Sequence, residues 1–331
     1  MGIISQSEKN PFLFSDSNKR YHTYDYYLKH RFGGKCAKIP LDGGFSCPNI
    51  DGTVSKGGCI YCISGSGARL SRACLPLCEQ YKAGIEVMTQ KWQTNMYIPY
   101  LQAYTNTHTS PDILEKILED VSKFEGAVMI DIATRADCLE NEKIKVLDKI
   151  SKKIPLTVEL GLQSANDETA KIINRGHSFE VFEDAFYRLR KGAPSVKIGI
   201  HIINGLPNED AEMMKNTASR VANLHPDLLK IHLLYVAEGT PLAEMYKRGE
   251  YTPIERDEYI NIVCDQLEIL PPDIVIERVT GDGLGSELIA PLWSKKKVTV
   301  INDIDKELFR RNTYQGIYQE GEQNERTLYR K

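Results

Sequence analysis

The sequence predicts an α/β fold in which a parallel sheet is covered by helices. Its candidate strands are short and almost continuously apolar, and amphipathic helical segments separate them. This alternation is typical of parallel sheets, which are buried on both faces. Six such units can be counted, and six (β/α) units form an open, incomplete version of the eight-unit barrel. In barrels of this kind the loops that follow the strands build the active site.

The predicted elements alternate along the first 234 residues. The strands cover residues 38–41, 98–104, 127–132, 156–160, 196–202 and 228–234. The helices between them lie around residues 85–92, 111–118, 144–150, 182–189 and 211–223. Ser110 and Pro111 begin the second of these helices with a favourable N-cap and first turn.

After about residue 250 the alternation weakens. This part of the chain predicts a helix over 254–269, a strand over 274–279, a turn-rich loop over 281–285 and a helix over 301–311. We therefore expect an N-terminal segment (1–35), a core that carries the cysteine loop (36–250) and a C-terminal α+β extension (251–331).

Composition and charge exclude several classes of protein. Hydrophobic residues make up 41% of the chain and charged residues 26%, values that exclude a disordered or fibrous protein. A net charge of -3 argues against a basic coat that would grip nucleic acid nonspecifically. The chain has no apolar run of the roughly 18 residues that a membrane span needs, and its start lacks the apolar core of a secretory signal. We expect a cytoplasmic protein that does not bind membranes.

Six of the eight cysteines are concentrated between residues 36 and 78. They are Cys36, Cys47, Cys59, Cys62, Cys74 and Cys78, whereas Cys138 and Cys264 stand alone. A reducing compartment keeps thiols free, so a disulfide framework is not expected. Metal binding is the better explanation for such a cluster.

The spacing of the cysteines is compatible with more than one metal site. Three thiolates would leave one iron of a four-iron cluster open to a further ligand, whereas four would saturate a zinc ion or a simple electron-transfer cluster. Cys59-x2-Cys62 followed by Cys74-x3-Cys78 has a spacing that a four-thiolate zinc site can use. CxxC also fits a redox pair, although a glycine-rich approach is not the usual setting for one. Spacing alone does not decide between them.

A resemblance to a known family separates these alternatives. The segment from Ile39 to Asn49, together with Gly57 to Cys62, resembles the cluster loop of radical SAM proteins related to the Elongator catalytic subunit, in particular the YhcC/YtqA-like family. As in that family, eleven residues separate the first two cysteines, and Tyr61 precedes the last one. Further blocks resemble the family in order along the chain: 20–24, 32–35, 102–108, 133–139, 158–164, 173–177, 201–207, 280–283 and 290–294.

The resemblance implies a fold, cofactors and a type of chemistry. The fold would be a partial (β/α)6 TIM-like barrel of the radical SAM type. Cys47, Cys59 and Cys62 would hold a [4Fe-4S] cluster whose open iron binds S-adenosyl-L-methionine. An electron from an external donor such as flavodoxin or ferredoxin would then release methionine and a 5'-deoxyadenosyl radical, which takes hydrogen from the substrate. Cys74 and Cys78 would be spare thiols, with auxiliary metal binding as an alternative.

The resemblance also implies contacts with the methionine part of the cofactor. Tyr61 lies within the cluster loop, and Gln102 and Asn106 follow the second strand, where the superfamily places groups that hold the methionine amine. The chain lacks the common Gly-Gly-Glu at this point. Buried polar residues that cap a strand are therefore an alternative for Gln102 and Asn106.

Other cofactor contacts are expected at the ends of the fourth and fifth strands. Glu159, with Gln163 just beyond it, would accept hydrogen bonds from the ribose hydroxyls. The alternative is that Glu159 pairs with Arg175 or Arg135, either of which could also bind the methionine carboxylate. The list of expected cofactor contacts is completed by His201 and Asn204, which match the region that flanks the adenosine.

The family relation suggests a tRNA substrate. It implies conversion of a 5-carboxymethylaminomethyl group on the wobble uridine to 5-aminomethyl. Arg69, Arg72 and a basic C-terminal region could dock the tRNA; that region contains Lys295, Lys296, Lys297, Arg310, Arg311, Arg326, Arg330 and Lys331. Two alternatives stay open: a radical SAM enzyme that acts on a small metabolite, and a non-catalytic RNA-binding protein stabilised by zinc at Cys59, Cys62, Cys74 and Cys78.

Overall fold

Seven parallel strands form one curled sheet in the computed structural model, which describes residues 10–63, 75–281 and 285–319. The strands of the described chain are β1 (Ala37–Leu41), β2 (Tyr97–Leu101), β3 (Ile130–Thr134), β4 (Leu156–Gln163), β5 (Lys197–Asn204), β6 (Leu228–Leu233), β7 (Val236–Ala237), β8 (Val275–Arg278) and β9 (Leu288–Ala290). The order in the sheet is β1-β2-β3-β4-β5-β6-β8, and every neighbouring pair is parallel. The short strands β7 and β9 form a separate antiparallel pair.

Helices connect the strands and cover the convex face of the sheet. They are α1 (Tyr24–Phe32), α2 (Leu77–Thr89), α3 (Pro111–Val121), α4 (Asn141–Ser151), α5 (Asp167–Ile172), α6 (Phe179–Gly192), α7 (Ala211–Leu224), α8 (Pro241–Lys247), α9 (Arg256–Ile269) and α10 (Lys297–Arg310). Ser110 caps α3 by accepting a hydrogen bond from the backbone N–H of Ile113, and Pro111 occupies the first turn. In the part of the chain that the structure describes, we find no helix with the length and apolarity needed to cross a membrane.

The strand sequences separate a hydrophobic face from a polar one. In β5, Ile198, Ile200 and Ile202 belong to the main hydrophobic core, which also contains Phe182 and Phe186 of α6. Side chains alternate between the two faces of a strand. The intervening positions of β5 therefore face the concave interior of the sheet, where the polar residues of several strands meet.

The structure confirms the predicted incomplete parallel barrel and adds a seventh strand to it. All six predicted strands of the first part of the chain are present. The strand predicted over 274–279 is also present as β8, and it pairs with β6 in the same sheet. The C-terminal region therefore contributes directly to the barrel, which the weakening alternation after residue 250 did not indicate. The sequence prediction also missed the short elements α5, α8, β7 and β9.

Segments from both ends of the described chain stabilise β8. The backbone N–H of Ile276 donates to the carbonyl of His22 at 2.7 Å, and Thr23 forms a parallel bridge with Ile276. The buried Gln315 side chain donates to the carbonyl oxygens of Pro271 and Ile274, at 2.7 and 2.9 Å, and its Oε1 accepts from the backbone N–H of His22 at 2.8 Å. A fully buried amide with three hydrogen bonds links both ends of the chain to the outer strand.

Replacement of Phe182 by Ala should destabilise the barrel. Phe182 is fully buried in the main core, and loss of a buried phenyl ring costs about 3–5 kcal/mol. The neighbouring Val181 is 41% exposed, so Val181→Ala should change the free energy of unfolding by no more than about 0.5 kcal/mol. Urea unfolding followed by circular dichroism measures both variants. Equal stability of the two would contradict the described packing of α6.

Candidate active site

A cavity of about 780 Å³ occupies the concave side of the sheet. Each of the seven strands of the sheet contributes at least one lining residue. Cys47, Cys59 and Cys62, from the loop after β1, line the same cavity. The structure thus brings the three predicted cluster ligands to the carboxyl-terminal side of the barrel, where enzymes with this architecture carry their catalytic groups.

The cysteine loop is held in shape by its own backbone. The carbonyl of Cys47 accepts from the N–H groups of Ile50 and Asp51, at 2.7 and 3.0 Å, and the N–H of Cys62 donates to the carbonyl of Cys59 at 2.9 Å. Gly57 and Gly58 have φ angles of 82° and 77°. Glycine adopts this left-handed conformation without strain. The two glycines therefore allow the turn that leads into Cys59.

A second segment, residues 173–176, clamps this loop. The Asn49 side-chain amide donates to the carbonyl oxygens of Asn174 and Arg175, at 2.5 and 3.0 Å, and lies 3.6 Å from Cys59 Sγ. The side-chain amide of Asn174 in turn donates to the carbonyl of Gly58 at 2.7 Å. A Cβ atom on Gly176 would lie only 2.6 Å from Asn49 Oδ1. Sequence analysis gave no role to these residues, although Asn49 and Asn174 both lie in blocks that resemble the family.

Two buried arginines line the cavity beside the cysteines. Arg135 makes a two-point contact with Asp137, with its Nε and Nη2 atoms 2.9 and 2.6 Å from the carboxylate oxygens. Burial opposes the charge on Arg135, but Asp137 outweighs this effect and raises the pKa of Arg135. Nη1 of Arg135 and Nε of Arg175 are buried and have no hydrogen-bond partner among the described residues. These N–H groups suit an anionic ligand such as a carboxylate.

The pairing of Glu159 with these arginines, given as the alternative to cofactor binding, does not occur. Arg175 instead donates to the carbonyl of Gly161. Glu159 is fully buried and contacts two lysines, with Lys38 Nζ at 2.8 Å and Lys230 Nζ at 2.5 Å. Burial raises the pKa of Glu159, but the charges of Lys230 and Lys38 outweigh burial and hold this pKa well below its usual range. Tyr100 also donates to Glu159, so both carboxylate oxygens already accept hydrogen bonds from the protein.

The two lysines join Glu159 to two further carboxylates. Lys38 Nζ lies 2.6 Å from Asp131 and also contacts Glu277, and Lys230 Nζ lies 3.1 Å from Glu277. Oxygen atoms of Asp131, Glu159 and Glu277 come close enough together to hold a metal ion. Because the Lys38 ammonium group contacts all three carboxylates, it supplies the positive charge that a cation would otherwise provide. Burial raises the pKa of Asp131 to about 6.

His201 extends this network into the cavity. Its Nε2 atom lies 2.8 Å from Glu159 Oε2, and its ring centroid lies 5.2 Å from that of His232. Burial and the charge of Lys230 lower the pKa of His201. Burial and the neighbouring His201 lower the pKa of His232 well below its usual value. Both effects favour the neutral form of these two imidazoles on the cavity wall.

The remaining predicted cofactor contacts divide into two groups. Tyr61, Gln102 and Gln163 line the cavity together with Arg135, Glu159, Arg175 and His201. Asn106 and Asn204 do not belong to this lining. Asn106 donates to the carbonyl oxygens of Leu101, Ala103 and Ala133, which is the strand-capping role given as its alternative. Asn204 exchanges two side-chain hydrogen bonds with Gln266 of α9, at 2.8 and 2.9 Å.

The other described cysteines lie apart from the cavity. Cys138 and Cys264 are buried, and burial raises the pKa of each thiol to about 12. Cys36 is partly buried, with its pKa raised to about 11 by the same effect. Cys78 is exposed in α2, and Cys74 lies outside the described residues. None of the described members of this group lines the cavity that contains Cys47, Cys59 and Cys62.

Comparison with known proteins identifies the family. The family model described as "Radical SAM superfamily" matches residues 55–218, and the one described as "Radical_SAM C-terminal domain" matches residues 226–310. The chain is 43% identical to YtqA of Bacillus subtilis over 312 residues, which are 94% of this chain and 96% of YtqA. The first family model begins after Cys47, whereas the match to YtqA extends over nearly the whole chain.

Two further comparisons connect the chain to Elongator-type proteins. A tRNA uridine(34) acetyltransferase of Methanocaldococcus infernus is 31% identical over 175 residues, which are 50% of this chain and 32% of that protein. The structure of Methanocaldococcus infernus Elp3 with an N-terminal deletion has the same fold, with a TM-score of 0.64 at 21% identity over 85% of this chain and 64% of that chain. Together, the matches show that the chain belongs to the radical SAM superfamily, within the YhcC/YtqA-like family that is related to Elongator.

Proposed function

We propose that this radical SAM enzyme modifies the wobble uridine of tRNA, converting its 5-carboxymethylaminomethyl group to 5-aminomethyl. The observation that carries the proposal is the single cavity that joins three thiols to a polar barrel interior. The tRNA part rests on relatives, since a protein similar to half of this chain is a tRNA uridine(34) acetyltransferase. An external electron donor such as flavodoxin or ferredoxin completes the proposed system.

The residues of the cavity fit the cofactors that the family implies. Cys47, Cys59 and Cys62 would hold a [4Fe-4S] cluster, and three ligands leave one iron free for S-adenosyl-L-methionine. The unpaired buried N–H groups of Arg135 and Arg175 suit the carboxylate of that cofactor. When bound, the two cofactors supply a carbon-centred radical that removes hydrogen from the substrate.

The chain's own residues organise the space around this chemistry. The Asn49–Asn174 clamp fixes the loop that carries the thiols. The lysine and carboxylate network keeps polar groups in fixed positions inside the barrel, where they need no reorganisation during a reaction. The protein therefore provides a cavity with fixed polar groups beside the loop that would bind the cluster.

The surface for tRNA docking is only partly within the described chain. Lys295 and Lys296 are exposed between β9 and α10, where they can contact phosphate groups. Arg310 and Arg311 each pair with Glu307, so their charges are partly compensated. Arg69, Arg72, Arg326, Arg330 and Lys331 lie outside the described residues.

Replacement of each cluster cysteine by alanine should abolish iron binding. After anaerobic reconstitution we expect about four irons per wild-type chain and a brown chromophore, and both should be lost in Cys47→Ala, Cys59→Ala and Cys62→Ala. Cys78→Ser is the matched control and should retain the iron. Stoichiometric zinc that depends on Cys78, without iron uptake, would instead support the zinc-stabilised RNA-binding protein.

Gly176→Ala should impair cluster binding, because Gly176 belongs to the segment that holds the cysteine loop. Its φ of 83° and the 2.6 Å approach of a Cβ to Asn49 Oδ1 require the loop to shift. Gly249 has a φ of 73° but no atom within 4 Å of its Cβ position, so Gly249→Ala costs only the backbone strain of about 1–2 kcal/mol. Iron per chain after reconstitution should fall in Gly176→Ala and stay at the wild-type level in Gly249→Ala. Equal iron contents would show that the contact between Asn49 and residues 173–176 is not needed for cluster binding.

Deletion of the gene should change the wobble uridines of the cell. Mass spectrometry of tRNA nucleosides should show accumulation of 5-carboxymethylaminomethyluridine derivatives and loss of products derived from 5-aminomethyluridine. A plasmid copy should restore the profile, and a Cys59→Ala copy should not. An unchanged nucleoside profile would rule out the tRNA proposal and favour a small-metabolite substrate.

A further inference from the structure

The hydrogen bond between His201 and Glu159 fixes which nitrogen of the imidazole carries the proton. The contacts with Lys38 and Lys230 favour the ionised form of Glu159, and a carboxylate can only accept hydrogen bonds. Because His201 Nε2 lies 2.8 Å from Glu159 Oε2, Nε2 must be the protonated nitrogen of the neutral ring. Nδ1 therefore carries the free lone pair.

The His201 side chain lies at the cavity, and its Nδ1 atom is not used by another described residue. The His201 side chain is 16% exposed and lines the cavity. In residues 10–63, 75–281 and 285–319, no hydrogen bond is formed by Nδ1 of His201. A hydrogen-bond acceptor held in a cavity by a carboxylate on the opposite ring nitrogen is the arrangement of a general base.

The charged groups around His201 favour a neutral imidazole that can accept a proton. Titratable groups that line the cavity with it include Glu159 on β4, Lys230 and His232 on β6, Tyr100 on β2, Lys38 on β1 and Glu277 and Arg278 on β8. Burial and Lys230 disfavour the imidazolium in the resting protein. Glu159 is in direct contact and stabilises the imidazolium once a proton arrives. His232 lacks such a carboxylate contact among the described residues.

The substrate proposed above contains a group that matches this base. The carboxymethylaminomethyl side chain has a secondary amine, which is an ammonium ion in neutral water and has no free lone pair. Removal of a hydrogen atom from the carboxymethyl carbon leaves an unpaired electron next to this nitrogen, and the nitrogen stabilises that electron only when it has a free lone pair.

We propose that His201 Nδ1 removes a proton from the secondary ammonium group of the substrate and that Glu159 is the residue that positions His201. This proposal rests on the proposed function and names the group that the same cavity recognises. One N–H bond of the ammonium breaks, its electron pair stays on the amine nitrogen, and an Nδ1–H bond forms. The transfer needs no oxidant or reductant.

The tautomer can be tested on the protein without cofactors. Long-range ¹H–¹⁵N correlation spectra of histidine-labelled protein distinguish Nε2–H from Nδ1–H rings, and the signal lost in His201→Gln identifies His201. We expect a neutral ring with the proton on Nε2 at pH 7. A ring with the proton on Nδ1, or an imidazolium at pH 7, would overturn the proposal. His30→Gln, on the exposed face of α1, should leave the His201 signal in place.

The His201→Gln variant also tests the role in the reaction. Glutamine keeps an N–H donor for Glu159 but has no basic nitrogen. Formation of the aminomethyl product should fall on the order of 100-fold or more, whereas affinity for S-adenosyl-L-methionine and its reductive cleavage should change less than about twofold. Product formation by His201→Gln should recover as the pH rises and the substrate amine loses its proton without help. His30→Gln should behave like the wild type.

Three outcomes separate the competing explanations. Wild-type product formation by His201→Gln would exclude the base. A tenfold loss of S-adenosyl-L-methionine affinity would assign His201 to cofactor binding and overturn the proposal. Failure of the wild-type enzyme to alter 5-carboxymethylaminomethyluridine in tRNA would overturn the proposed function and, with it, the ammonium as the proton donor. In that last case the spectra would still report the tautomer of His201, so the two failures remain distinguishable.

Discussion

The burial of Glu159 between Lys38 and Lys230 is the constraint that organises the interior of this protein. Glu159 lies on the central strand β4, whereas Lys38 and Glu277 lie on the two outer strands, β1 and β8. A flat sheet of seven strands would hold these outer side chains far apart, since neighbouring strands are about 4.8 Å apart. Their contact therefore requires the sheet to curl. A buried charge without its partner costs several kcal/mol, so the same contacts that create the cavity also penalise any opening of it.

The cysteine loop is stabilised by a different kind of interaction. Backbone hydrogen bonds and the side-chain hydrogen bonds of Asn49 and Asn174 hold its described part. Residues 173–176 follow β4, whereas the cysteine loop follows β1, so these two segments are brought together by the tertiary fold. The geometry of the thiols thus depends on the tertiary fold and not on the local sequence around CxxC.

The sequence predicted the repeating elements well because each one depends on local patterns. The apolar strands and the Ser110–Pro111 helix start are examples. It did not predict that β8 joins β6, since pairing between distant strands leaves no local signal. The lysine partners of Glu159 were not predicted for the same reason. A buried carboxylate requires a partner, but only the register decides that lysines of β1 and β6 reach it, and not Arg135 or Arg175, which were the alternative partners. Likewise, cysteine spacing alone was compatible with zinc, and only the resemblance favoured the three thiols that the fold brings to one cavity.

Charge balance explains why a neutral histidine suits this interior. Asp131, Glu159 and Glu277 are matched there by Lys38, Lys230 and Arg278. An additional fixed charge would have no partner and would be costly to bury. A proton that moves from a bound ammonium to His201 transfers a positive charge between two groups in the same cavity and leaves their total unchanged. The new imidazolium lies 2.8 Å from Glu159, so the network that curls the sheet also stabilises the charge that this transfer produces.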